Sequence, residues 1–374
     1  MKFYFVYSSG GGAGDWNGID RTFIESMPPY FKDHLLLKFG DIFFNHRSAE
    51  SIIKPEAWRT IRNARCWVVA NTGDQTVLDT PNMIMDVGTS KLVSYLTRIY
   101  GDVSEIDIIK KFDHILDRDD ILNKYCEVIR TSKIQNAVTF DIPNLFKVRT
   151  QAGSVDRNVF SSGENSSHIM KACAKYANII NAGLADMPNS VMTFINVHWN
   201  ERELDEYLST LDYTPTKLAV GGLTDYPAAD LGRRLQSMDE KLHFAGYNRV
   251  HFLGAGGLKK ASIIKAALGN HSIFSVDNTT AYNRVIDGSV SGSAQSGYYD
   301  YATKKLHRVK PDTVEEILQM HESSLSIAYF TLEEMKEILN GILLHQSHNS
   351  STYTYECRAK LIMHNFDVYR YNAE

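Results

Sequence analysis

The chain has 374 residues, 43% of them hydrophobic and 22% charged, with a formal net charge of -4 and a sequence pI near 6.4. This composition excludes the disordered and fibrous classes, and the acidic balance argues against nucleic-acid binding through bulk positive charge while leaving room for a local basic patch. The four cysteines are widely spaced with no CxxC pair, and neither a secretory leader nor an apolar run of about 18 residues is present, so reduced thiols and a soluble cytoplasmic protein without a membrane partner are expected.

Residues 2–7, KFYFVY, alternate and carry aromatics, which reads as a strand running into the pliable turn SSGGGAGDW. A glycine-rich loop behind a strand can cradle phosphate, but this spacing fits neither the Walker pattern nor GxGxxG, and a plain flexible loop is the simpler reading. Residues 21–65 are mixed, punctuated by Met27-Pro28-Pro29, and 67–70 form a short apolar strand. A strand over 82–85 ends on Asp86-Val87-Gly88, and a helix over 90–100 follows, with Leu92, Val93, Leu96 and Ile99 at helical spacing. Thr89 and Ser90 can cap that helix, which leaves Asp86 spare. A helix over 119–133 precedes a strand over 137–140 that closes on Asp141 before Pro143.

Residues 145–167 read as a long loop rich in Gly, Ser and Asn that carries Lys147, Arg149 and Arg157. Strands over 191–197, 218–220 and 250–253 then alternate with helices over 168–182, 201–211, 228–244 and 259–268. The stretch HSIFSVDNTTAYNRVIDG supplies the last strand, over 273–276, and ends it on Asp277. Asn196 and His198 follow one strand, Gly221 and Gly222 another, and Leu253, Gly254, Gly256 and Gly257 a third. Strands that alternate with helices and end on polar residues or glycines describe the catalytic rim of a parallel α/β barrel, a (β/α)8 TIM-type fold with insertions; an open doubly wound sheet is the runner-up. The barrel is expected to span 1–290 and a short helical extension 291–374, with helices over 313–322 and 331–345.

In their order, MDVG, the FD of AVTFDIPN, LAVGGL, VHFLGAG and VDNTTAYNRVIDG resemble the tRNA-guanine transglycosylases of queuine and archaeosine synthesis and their phage and bacterial relatives that insert 7-deazaguanines into DNA. The likeness covers roughly residues 67–290. It implies Asp277 as the nucleophile, Asp86 as the general acid/base and Asp141 as the reader of the purine edge. Asn196, His198, Gly221, Gly222, Leu253 and Gly254 would line the base pocket. The resemblance departs from the family at its zinc site: the tail offers only His345, His348, Cys357 and His364, whose spacing is not a recognised ligand set, so no metal and no cofactor are expected.

The chemistry suits these residue types independently of the family. Exchanging one purine for another through a covalent glycosyl ester needs a carboxylate nucleophile and a second titratable group that moves protons on and off the bases. A third acid can accept from the exocyclic amine and ring N–H of guanine, and glycine admits close approach of a flat base. The plain alternative for each acid is a helix cap or ion pair. The expected partner is DNA, or tRNA in the alternative, with a 7-deazaguanine base; an inactive nucleic-acid-binding paralogue and an unrelated barrel hydrolase are the competing classes, and a homodimer stays open. Arg149, Arg157 and Arg284, with Lys304, Lys305, His307, Arg308 and Lys310, are the candidates for gripping the phosphate backbone.

Overall fold

The computed structural model describes residues 1–7, 34–40, 44, 82–89, 92–93, 95–96, 105–142, 145–150, 153–158, 163–278, 285, 296–347 and 351–374. Eight parallel strands close into one barrel: β1 (Lys2–Tyr7), β2 (Leu35–Lys38), β3 (Ile84–Asp86), β4 (Asn136–Val138), β7 (Val191–Asn196), β8 (Lys217–Gly221), β9 (Arg249–Phe252) and β10 (Phe274–Asn278). Neighbours in space follow chain order, and the ring closes where β1 pairs with β10, Lys2 opposite Ser275 through Phe5 opposite Asn278. The second strand is Leu35–Lys38, inside the segment that reads as mixed; the apolar run at 67–70 lies outside the described residues.

Helices α1 (Glu105–Arg118) and α2 (Ile121–Ser132) connect β3 to β4, α3 (Gly163–Gly183) precedes β7, and α4 (Glu201–Thr210), α5 (Ala228–Leu242) and α6 (Leu258–Leu268) separate the strands that follow. The expected loop over 145–167 is corrected. An antiparallel hairpin, β5 (Leu145–Thr150) with β6 (Gly153–Asn158), occupies most of it, and α3 begins at Gly163. Alternation along LFKVRT and GSVDRN is strand alternation, which the polar composition obscures.

Beyond the barrel strands come the small pair β11 (Gly297–Tyr299) and β12 (Leu306–Arg308), then α7 (Val314–Glu322), α8 (Leu332–Gln346) and the 22-residue α9 (Thr352–Ala373). The last helix lies against β1: the Phe366 ring stands 4.2 Å from Phe5 and 6.1 Å from Phe3, and Tyr369 stands 6.2 Å from Phe3. Buried Asn365 ties β11 to it, accepting from Tyr299 N at 2.9 Å and donating to Gly297 O at 2.8 Å. Residues of α9 and of the barrel strands therefore share one hydrophobic core. No described helix is long and apolar enough to cross a membrane.

Side chains alternate across each strand, so the register fixes which of them face the barrel interior. Lys217, opposite Arg249, occupies the N-terminal end; Ser275, opposite His251, lies above; Asp277 and Tyr4, Asn196 and Gly221, and Lys38 and Asp86 are inward register partners above those. At the N-terminal end the cations meet neutral acceptors. Lys217 Nζ donates to Asn136 Oδ1 at 2.9 Å and Gln135 O at 2.8 Å, and Arg249 donates to the Tyr4 hydroxyl at 2.7 Å and Asn82 Oδ1 at 2.9 Å. Burial, with Arg249 nearby, pushes the Lys217 ammonium down to about 8. The C-terminal end is where barrel chemistry resides.

Candidate functional site

Asp277 is a tightly held acid at that end. It is 4% exposed, and its Oδ1 accepts from Gly254 N at 2.7 Å and pairs with His251 Nε2 at 3.0 Å. His251, on the neighbouring strand, reaches Ser275 Oγ at 2.9 Å through its other ring nitrogen. The loop after β9 is built to serve this carboxylate. A φ of +68° at Gly254 turns its N–H toward Oδ1, and Gly256 N donates to the Asp277 carbonyl at 2.7 Å. A Cβ at Gly256 would stand 2.9 Å from that carbonyl and 2.6 Å from the Phe3 ring, so only glycine lets the loop wrap the strand end this closely. One carboxylate oxygen is thus held by the Gly254 N–H and the His251 ring, the arrangement a nucleophile needs if its other oxygen is to attack in a fixed direction.

A second acidic group forms where β3 and β4 end. Asp86 is the last residue of β3 and Asp141 lies three residues beyond β4. Thr89 Oγ1 donates to Asp141 Oδ1 at 2.7 Å. Burial pushes the Asp141 carboxyl up to about 7; the Thr89 hydrogen bond opposes the rise, and the nearby Asp86 charge adds to it. Ile142 N, one residue on, donates to the Cys173 thiol at 3.3 Å, and burial pushes that thiol upward, which makes it a packing group. An acid that titrates near neutrality beside a second carboxylate is suited to giving and taking protons.

The remaining predicted pocket residues come together between β7 and β9. Asn196 ends β7, is buried, and accepts from His198 N at 3.0 Å. His198 meets Gly222 O at 3.2 Å and lies 5.0 Å from the Tyr226 ring; partial burial lowers its pKa from the ordinary histidine value. Gly222 has a φ of +74°, and a Cβ there would fall 2.2 Å from Asn196 Oδ1. At Gly221 the space of a side chain is taken by Phe194, whose ring would stand 2.2 Å from the added carbon, so an aromatic ring rather than bare backbone fills this side of the mouth. Leu253 follows β9 and is tied to β8 through Val220 O at 2.9 Å. Arg234 of α5 donates to the carbonyls of Val197 and Trp199, fixing the turn that carries His198.

Arg149 lies on β5 and Arg157 on β6, opposite Ser154 and Phe146, whereas Arg284 lies outside the described residues. Lys304, Lys305 and Arg308 are exposed on the β11–β12 pair and its connection, His307 and Lys310 half-buried. Among the described residues, no group of three or more His, Cys, Asp or Glu side chains is placed to hold a metal ion. The tail candidates have separate partners: His345 with Arg358 at 2.9 Å, the Cys357 thiol with Glu337 O at 3.7 Å, and His364 with Tyr299 O at 2.8 Å; His348 lies outside the described residues.

Three site residues escape the sequence pattern. Thr89 reads as a helix cap, and His251 and Ser275 read as ordinary strand positions. The available signal was their polarity at every second residue, RVHF and FSVD, which in a barrel strand marks the inward face. Neither the family models, nor the curated proteins, nor the solved structures contain a match to this chain.

Proposed function

We propose that the protein exchanges guanine in DNA for a 7-deazaguanine base through an ester between Asp277 and the sugar, the activity that the motif resemblance implies. The observation that carries this is the clamped Asp277 carboxylate at the mouth of the barrel, one oxygen fixed by His251 and Gly254. In the first half-reaction Asp277 Oδ2 attacks C1′, the C1′–N9 bond breaks, and its electron pair leaves with guanine, which takes a proton. In the second, N9 of the incoming base attacks C1′, the C1′–Oδ2 bond breaks, its pair returns to the carboxylate, and the base gives up its N9 proton. The Asp86–Asp141 pair is the proton store for both halves. The resemblance makes Asp86 the acid/base and Asp141 the base reader; a carboxyl titrating near 7 is also fit to carry the proton itself, so the two acids act as one coupled unit. Asn196, His198 and Phe194 supply polar and aromatic contacts for the flat base, and Arg149, Arg157 and Arg284 the phosphate contacts that hold the strand once the nucleotide leaves the stack.

The test is incorporation of labelled guanine into duplex DNA, with tRNA in parallel. Wild-type protein should label DNA. Asp277→Asn, which keeps shape and loses the nucleophile, should bind DNA and label nothing. Label in tRNA alone would move the substrate assignment, and an active Asp277→Asn would end the mechanism.

A further inference from the structure

We propose that His251 and Ser275 are positioning residues that decide which oxygen of Asp277 reacts and how long its ester survives; the proposal rests on the base-exchange reading of Asp277. Ser275 and Asp277 lie two residues apart and share the inward face of β10, and His251 faces Ser275 across the β9–β10 ladder. A single proton arrangement makes both of its contacts with a neutral ring. The ionised carboxylate that the nucleophile role requires only accepts, so in that role Nε2 carries the proton that meets Asp277 Oδ1 at 3.0 Å. Nδ1 is left with a lone pair, and the Ser275 hydroxyl at 2.9 Å donates into it. The three side chains are sealed, with His251 0%, Ser275 2% and Asp277 4% exposed. The imidazole also packs edge-on against Tyr4, ring centres 5.2 Å apart at 78°, while Arg249 engages the Tyr4 hydroxyl. Packing thus holds the ring plane while Ser275 sets the tautomer.

This arrangement acts unequally on the two half-reactions. The donors on Oδ1 favour the charged carboxylate over the neutral ester. Formation of the C1′–Oδ2 bond removes that charge, and its cleavage restores it, so the relay speeds release of the sugar to the incoming base. A histidine that merely fills the core would leave this balance untouched. Removing one such donor from a developing oxyanion commonly slows a step by about 10²-fold or more; a roughly tenfold to hundredfold longer ester lifetime is expected for His251→Phe.

The experiment uses the full chain, duplex DNA and labelled guanine, with denaturing electrophoresis to count protein–DNA adducts. His251→Phe should accumulate adduct while turnover falls, Ser275→Ala should do so more mildly, and His251→Gln, whose amide can donate to Oδ1, should recover part of the loss. Should His251→Phe fail to fold, Ser275→Ala carries the kinetic test. Ring ¹⁵N shifts of His251 in the unliganded protein supply a readout independent of activity: protonated Nε2 with unprotonated Nδ1 supports the relay, whereas a protonated Nδ1 overturns it. Wild-type adduct levels and turnover in both variants would also overturn it. A wild-type chain that exchanges no base would instead refute the parent reading, with the ring shifts still testing the relay.

Discussion

Replacing Asp141 by Asn tests the electrostatics of the site without any substrate. The carboxyl is pushed up to about 7 in the folded protein against 3.8 for an ordinary aspartate, because burial and Asp86 outweigh the Thr89 hydrogen bond. A raised carboxyl favours the fold while protonated. Below pH 3.8 both states hold the proton, between there and about 7 the folded state alone holds it, and stability falls as pH rises through that window before levelling off above it. At 1.36 kcal/mol per pH unit, the gap amounts to at most ~4 kcal/mol, an upper bound because Asp141 keeps some contact with water. Asn cannot ionise and still accepts from Thr89. Asp141→Asn should therefore match the wild type near pH 4 and exceed it by up to ~4 kcal/mol at pH 8. With about 2.1 cal/mol/K of unfolding entropy per residue, that difference raises Tm by about 5 °C. Circular-dichroism melts of both proteins from pH 5 to 8.5 measure it. Parallel curves across this range would refute the burial of a protonated acid at Asp141.

Gly222→Ala should cost about 1–3 kcal/mol, since its φ of +74° disfavours a side chain and the new carbon would strike Asn196 Oδ1; urea denaturation giving a smaller loss would mean that the turn is free to open. Phe366→Ala should cost about 3–5 kcal/mol by emptying the space beside Phe5, and a loss under about 1 kcal/mol would separate α9 from the barrel core. If the proposed DNA substrate binds there, neutralising Arg149, Arg157 and Arg284 together should lower the slope of log K against log salt by up to about three, close to one per phosphate contact; an unchanged slope would remove these arginines from the proposed interface.

What could be read from the sequence and what could not separate along a physical line. Strand ends at Asp86, Asn196 and Gly221, and Asp277 one residue before the end of its strand, are local features: a short apolar run stops on a polar residue or glycine, and a parallel barrel puts all such ends on one rim. The second strand is hard to read because Leu35–Lys38 is only four residues long and ends on a lysine in mixed surroundings. The helix α9 hid for the opposite reason. It is buried against β1, β11, α6 and α8, so apolar residues surround it and polar His364, Asn365 and Asp367 are buried with them, erasing the one-sided stripe that marks a surface helix. Residue roles that depend on distant partners are further from reach. Asp141 gains its high pKa from burial and from Asp86 on another strand, against the pull of a threonine 52 positions away, and Asp277 its clamp from a histidine 26 positions away on the next strand, surroundings that exist only once the barrel has closed. The sequence therefore announces which acids stand at the mouth, and the closed ring gives them different surroundings: the Gly254 N–H and the His251 ring hold one oxygen of Asp277, and burial pushes the Asp141 carboxyl up to about 7. On the base-exchange reading, these two surroundings serve a nucleophile whose attacking oxygen is aimed and a proton store.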